Sequence, residues 1–371
     1  DMTLNNLNNN YVAKGSKDYI KIIVALFISG FTIFSILYSV QPLIPHFTKS
    51  FNISETTASL ALSAATITLA IAMLFFGALS EVLGRKSIMI FSVTSVTLLA
   101  LVQPFVTDFN TFLIIRLIQG VCLAGLPSIA MAYIGEEISP HNLPEAMGIY
   151  ISGNAFGGAF GRIFTGFISS IYGYQIGLLS IATISVIATI MFIVLIPKSK
   201  HFEKQPFSVK TLLISYYNHL TNIRLLKPFM TGFLLLGCNI AAFNYIGFEL
   251  ANKPYNLHDS IISFVYLLFL IGMISSILNA KLRTKLGTLN ALKFSVLLLI
   301  VGINITLLSP LYFKIIGLAF SVYAFFSGHA ISSAVVTSRA EDHKAQASSL
   351  YLLFYYMGSS VGGTLAGVFY N

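Results

Sequence analysis

Long apolar runs alternate with short polar breaks along this chain, and the runs fall at roughly 20–45, 57–79, 87–106, 109–134, 146–170, 174–196, 226–250, 260–280, 288–308, 312–337 and 346–370. Each has the length of about 20 apolar residues that an α-helix needs to cross a bilayer. None has the ten-residue alternation of a barrel strand. The pattern predicts an all-α membrane protein with eleven visible spans. Residues 1–17 precede them as a short polar tail, rich in Asn from Asn5 to Asn10. The first span is too long for a signal peptide and lacks its small-residue cleavage site, so it is expected to stay in the mature protein.

Composition agrees, with 56% hydrophobic and 9% charged residues against about 25% charged in soluble domains. The net charge of +9 reads as topology. With the N-terminus in the cytoplasm, seventeen Lys and Arg fall inside and only Lys49, Lys253 and Lys314 outside, leaving Arg116 and Arg162 within spans. That asymmetry needs no nucleic-acid partner. Cys122 and Cys238 each sit in an apolar run, which excludes a disulfide framework or a zinc site. The one long polar segment, 197–225, separates an N-terminal bundle of six spans (18–196) from a C-terminal bundle (226–371).

The two parts resemble each other. A shift of 201 residues brings Ala146, Tyr150, Gly157, Gly161 and Gly166 onto Ala347, Tyr351, Gly358, Gly362 and Gly367, and a nearly equal shift pairs Asn52, Glu55 and Ser59 with Asn256, Asp259 and Ser263. Two six-span repeats account for both matches. The second repeat shows five spans before Asn371, so a twelfth helix is expected to be missing from this chain.

Between spans two and three stands Gly77-Ala-Leu-Ser-Glu81-Val-Leu-Gly84-Arg85-Lys86. Glycines there permit close approach and a turn, and an acid with bases can bridge neighbouring helices. The segment resembles the signature loop of the major facilitator superfamily, with Glu81 as the acid and Val82 where a basic residue is usual. The resemblance implies an inner gate, with Glu136 or Glu137 at the end of span four as partners; anchoring by the positive-inside rule is the plainer alternative. Arg116-Leu-Ile-Gln119-Gly120 is similar to the superfamily's second motif, whose arginine is placed in relation to proton coupling. A structural bond to backbone carbonyls of span one is equally open to Arg116. The glycines of span five, from Gly148 to Gly161, are similar to the exporter-associated motif, with Gly153-Asn154 in place of its proline. Together with Phe243-Asn244-Tyr245 in span seven and Tyr351 through Tyr355-Tyr356 in span eleven, the phrase Tyr150-Ile-Ser-Gly-Asn154 with Gly161-Arg162 resembles the YnfM-like drug-efflux branch of that superfamily.

Polar residues inside spans complete the candidate chemistry. For proton coupling these are Arg116, His329 and Glu249; His329 could instead be a neutral partner of Ser327 or Ser332, and Glu249 an interfacial residue. Spans one and four hold no embedded carboxylate. For a substrate cavity they are Tyr38, Gln41, Gln119, Asn154, Arg162, Asn239, Asn244, Tyr323 and Tyr355. At 1.5 Å per residue Arg162 lies about 24 Å from the inner end of its helix and Arg116 about 10 Å from the outer end of its own, so they sit at similar depth. Two permanent charges without a carboxylate in the spans around them favour neutral, zwitterionic or anionic amphiphiles. No metal, nucleophile or phosphate-loop motif appears, which argues against an intramembrane enzyme or a primary pump and calls for no cofactor. The expected function is alternating-access export of small amphiphilic molecules, as a monomeric multidrug antiporter of the bacterial inner membrane coupled to protons or another ion. A dedicated metabolite carrier or facilitator is the alternative.

Overall fold

A computed structural model describes residues 11–139, 142–200, 202, 208–339 and 344–370; within its helices, some side chains, that of Glu81 among them, lie outside the described residues. The expected tail residues 1–10 lie outside them too. Helices α1 (Lys17–Tyr38), α2 (Ile44–Phe51), α3 (Glu55–Leu83), α4 (Arg85–Val102), α5 (Phe109–Leu123), α6 (Pro127–Glu137), α7 (Leu143–Tyr172) and α8 (Tyr174–Leu195) build the first half. Helix α9 (Val209–Thr221) lies in the polar segment. The second half holds α10 (Ile223–Ala251), α11 (Asp259–Ser263), a 3₁₀ stretch Phe264–Leu270, α12 (Ile271–Leu286), α13 (Thr288–Thr306), α14 (Leu311–Arg339) and α15 (Lys344–Tyr370).

Each of the eleven apolar runs is therefore helical. Seven helices among the described residues are long and apolar enough to cross a membrane, and Phe109–Leu123 and Asp259–Leu270 are shorter apolar helices. Two of their starts carry side-chain caps. Ser16 Oγ accepts from Tyr19 N at 3.1 Å, and the Asp108 carboxylate accepts from Thr111 N at 2.8 Å. Two spans expected to be continuous are interrupted. Span four breaks between α5 and α6, where Pro127 has no N–H to donate and its ring crowds the carbonyl four residues back. Span eight is wound as a 3₁₀ helix over Phe264–Leu270, which places residues three apart on one face. The expected tail is partly docked, since buried Val12 pairs with Ile138 and its N–H bonds Glu137 O at 2.9 Å.

The repeat is visible in the backbone. Asn52 and Asn256, matched by sequence, are left-handed at φ 51° and 49°, and they are the positive-φ non-glycine residues among those described. The turns between spans two and three and between eight and nine use Gly84 at φ 96° and Gly287 at φ 75°. We call the end of the bundle with these glycines the latch end and the opposite one, with the two asparagines, the far end. In the first half α7 lies on α1 so closely that a Cβ on Gly157 or Gly161 would stand 2.4 Å from the carbonyl oxygen of Phe31 or Ser35. In the second, α15 lies on α10, and a Cβ on Gly358 or Gly362 would stand 2.0 or 2.5 Å from that of Phe233 or Gly237.

Candidate functional site

The halves meet at Arg162 on α7. The turn after α1 brings Gln41 across the groove, and Arg162 Nε donates to Gln41 Oε1 at 2.6 Å while Nη1 donates to Gly158 O at 2.9 Å. Gln41 Nε2 in turn donates to Asn244 Oδ1 of α10 at 2.7 Å, so one relay crosses from the first half to the second. The guanidinium lies 3.8 Å from the ring centroid of Tyr38, 4.0 Å from that of Phe269 and 5.8 Å from that of Tyr266. Tyr266 and Phe269 are three residues apart in the 3₁₀ stretch, and that winding turns both toward the arginine. An aromatic face attracts a cation through its quadrupole, which helps a buried guanidinium tolerate the loss of water.

Further contacts between the halves lie toward the far end. His46 Nε2 of α2 is 3.3 Å from the Asp259 carboxylate of α11. Ser360 Oγ donates to Ser63 O at 3.1 Å, and Thr364 Oγ1 to Ser63 Oγ at 3.0 Å. Gly166 admits Ser263 and Gly367 admits Thr56, so a glycine of each half receives a side chain of the other.

Arg116 is wholly buried. Its Nε donates to Ala61 O at 2.7 Å, Nη2 to Leu37 O at 2.8 Å, and Nη1 to Gln119 Oε1 at 2.8 Å. Two carbonyls and an amide thus hold it, and Gln119, expected to meet substrate, turns its oxygen to this arginine instead.

On α14 the expected serine partners of His329 give way to Tyr351. The Tyr351 hydroxyl of α15 is 2.8 Å from His329 Nδ1 and donates to His329 O at 3.3 Å, whereas Ser327 Oγ accepts from Ser295. Tyr355 packs on the imidazole with centroids 4.4 Å apart. Asn154 sets its Oδ1 against Gly30 of α1. Asn239 is buried, and neither its Oδ1 nor its Nδ2 has a hydrogen-bond partner among the described residues. Tyr323 is half-buried, and its carbonyl accepts from Ser275 Oγ at 3.1 Å.

At the latch end Arg85 Nη2 contacts Glu136 at 2.8 Å, and Nη1 donates to Ser80 Oγ. Of the two glutamates expected there, Glu136 is therefore the partner. Glu137 accepts from Ser199 Oγ at 2.5 Å and from Lys200 N at 2.7 Å. Lys86 Nζ donates to Ile196 O at 2.6 Å. Gly77 has open space beside it rather than a close neighbour, and Glu81's side chain lies outside the described residues. Glu249 pairs at 2.5 Å with the nearly buried Lys314, within the second half.

Tyr266, Phe269, His46 and Asp259 were missed as site residues by reasoning from sequence. The first two lie in a uniformly apolar run whose aromatic enrichment is the one available signal. The other two sit where loops are expected, although Asp259 falls in the second repeat match.

Comparison with known proteins follows this geometry. A profile for the family described as Major Facilitator Superfamily matches residues 26–363. Over 361 residues the chain is 45% identical to "Uncharacterized MFS-type transporter YybF" of Bacillus subtilis (strain 168), covering 97% of this chain and 89% of that one. Over 363 residues it is 34% identical to "Inner membrane transport protein YnfM" of Escherichia coli (strain K12), covering 98% and 87%. In fold it is similar, at TM-score 0.76 and 14% identity over 96% of this chain and 83% of the other, to a bacterial homolog of the human lysosomal transporter Spinster in an inward-facing, unoccupied conformation.

Proposed function

The chain belongs to the major facilitator superfamily and is a multi-pass membrane transporter; from that premise we propose that it exports small amphiphilic molecules across the bacterial inner membrane by alternating access, in exchange for protons, with its N-terminus in the cytoplasm. The observation that carries this reading is the location of the polar contacts between the halves. Gln41–Asn244, His46–Asp259 and Ser63–Ser360 all lie toward the far end, while Arg85–Glu136 closes within one half at the other. Polar contacts gathered at one end mark where the halves close there, and rocking the halves exchanges closure at one end for closure at the other. The orientation follows from the basic residues gathered at the latch end. Tyr38, Tyr355 and His329 give the space near the junction an aromatic character suited to amphiphiles. For the proton, His329 is the candidate these contacts favour, because imidazole exchanges protons near neutral pH and Arg116 and Glu249 are otherwise engaged.

Uncoupled transport of a metabolite is a second reading, favoured by Arg116, whose partners are carbonyls and an amide, none of which carries a proton in a cycle. Purified protein in liposomes with an imposed proton gradient separates the two. Uphill movement of an amphiphile that collapses with a protonophore supports the antiporter; equal flux with and without the gradient supports the facilitator.

A further inference from the structure

The junction of the halves has a surplus of hydrogen-bond donors. Gln41 Oε1, Gly158 O and Asn244 Oδ1 are already taken by Arg162 and Gln41. Asn244 Nδ2 is buried with no hydrogen-bond partner among the described residues. Asn244 lines, with Gln41 and Tyr266, a cavity of about 10 Å³, room for a single water. The Asp259 carboxylate lines the same cavity but is engaged by His46. Arg162 carries a permanent charge, and no described carboxylate lies within ion-pair distance of it.

The repeat sharpens the imbalance. The position 201 residues after Arg162 is Gly363, and a Cβ there would stand 2.9 Å from Asn244 Nδ2. The second half therefore packs a bare glycine against this unused donor where the first half places a cation. A group that fits a surplus of donors and one positive charge brings acceptors alone.

We propose that this junction, widening as the halves part, receives the anionic headgroup of the transported amphiphile, a carboxylate or sulfonate, with Arg162 supplying the charge and Asn244 Nδ2 a neutral donor. The inference rests on the carrier reading above and names its substrate class. It also couples binding to motion. An anion that draws Arg162 away from Gln41 frees the amide that bridges to Asn244, so occupation loosens the contact between the halves.

The test is a matched pair of probes, phenylbutyrate and phenylbutylamine, titrated calorimetrically into the full chain in phosphatidylcholine nanodiscs, which carry no net lipid charge. The wild type is expected to prefer the carboxylate. Arg162→Gln should weaken phenylbutyrate binding by about tenfold or more, the loss of one charged hydrogen bond. Asn244→Asp keeps the acceptor that Gln41 uses and places a carboxylate one amide away from Arg162; it should weaken the anion and spare the amine, and it serves if Arg162→Gln does not fold. A wild type that fails to prefer the carboxylate, or folded variants that bind it as the wild type does, overturns the subsite. Counterflow of labelled phenylbutyrate in liposomes is read separately: the predicted binding pattern without counterflow refutes the carrier reading and leaves the subsite standing.

Discussion

In the first half, α7 rests Gly157 and Gly161 on the backbone of α1; in the second, α15 rests Gly358 and Gly362 on the backbone of α10, at nearly the same spacing. One residue further along each glycine face the halves part, at Arg162 in one and Gly363 in the other. Arg116 and its carbonyl partners likewise belong to the first half. His329 with Tyr351 belongs to the second, and span four of the first half has no histidine. The scaffold is thus duplicated while the ionisable chemistry is divided between the copies. A repeat supplies two bodies that can rock, and divergence inside it assigns each body its own task.

The shared groove predicts the largest effect. Gly157→Ala and Gly358→Ala each force a methyl into a backbone carbonyl, which cannot rotate away as a side chain would. Each should cost about 1–3 kcal/mol or more, read as a drop in thermal unfolding temperature in detergent. Equal losses support equivalent grooves, and a tolerant Gly358 would break the equivalence.

The divided chemistry predicts the next. His329→Gln keeps a polar side chain that cannot carry a proton at neutral pH. Proton-driven accumulation should be lost while passive exchange remains; unchanged accumulation would move the proton path elsewhere.

A smaller asymmetry is expected at the two latch-end turns. Arg85 follows Gly84 and reaches Glu136, whereas Thr288 follows Gly287. Arg85→Ala should slow turnover several-fold with substrate affinity kept, because an ion pair that fixes α4 against α6 is lost. Thr288→Ala should stay within about twofold, as ordinary substitutions outside the core do. Wild-type turnover in Arg85→Ala would remove its gate role.

Much of this architecture was legible because a bilayer demands long apolar helices with few exceptions. The glycine register was legible as well, since close packing tolerates glycine where no other residue fits. Interruptions inside spans were harder. Pro127 was visible in the run, but a membrane helix can keep a proline when neighbours satisfy the freed carbonyl, so the break between α5 and α6 depends on packing. The 3₁₀ winding of Phe264–Leu270 has no signal in a uniformly apolar stretch. Polar residues named in advance, Arg162, Gln41 and Asn244 among them, stand in one relay because burial in lipid forces such groups together. Which partner each takes is decided by helix rotation. Glu136 and Glu137 differ by about 100° around α6, so one reaches Arg85 and the other turns to Ser199. His329 meets Tyr351 rather than a serine of its own helix because α15 packs beside it.

The central claim is that the far-end contact between the halves opens. Phe167 of α7 and Phe264 at the start of the 3₁₀ stretch face each other there with ring centroids 6.2 Å apart. Spin labels on Phe167→Cys and Phe264→Cys, with Cys122 and Cys238 replaced by Ser, report that separation in nanodiscs, short distances by dipolar broadening in continuous-wave and long ones by pulsed electron paramagnetic resonance. The account predicts two distance populations, the shorter matching this structure, whose ratio changes with pH or with added phenylbutyrate. A single short distance under every condition would contradict it.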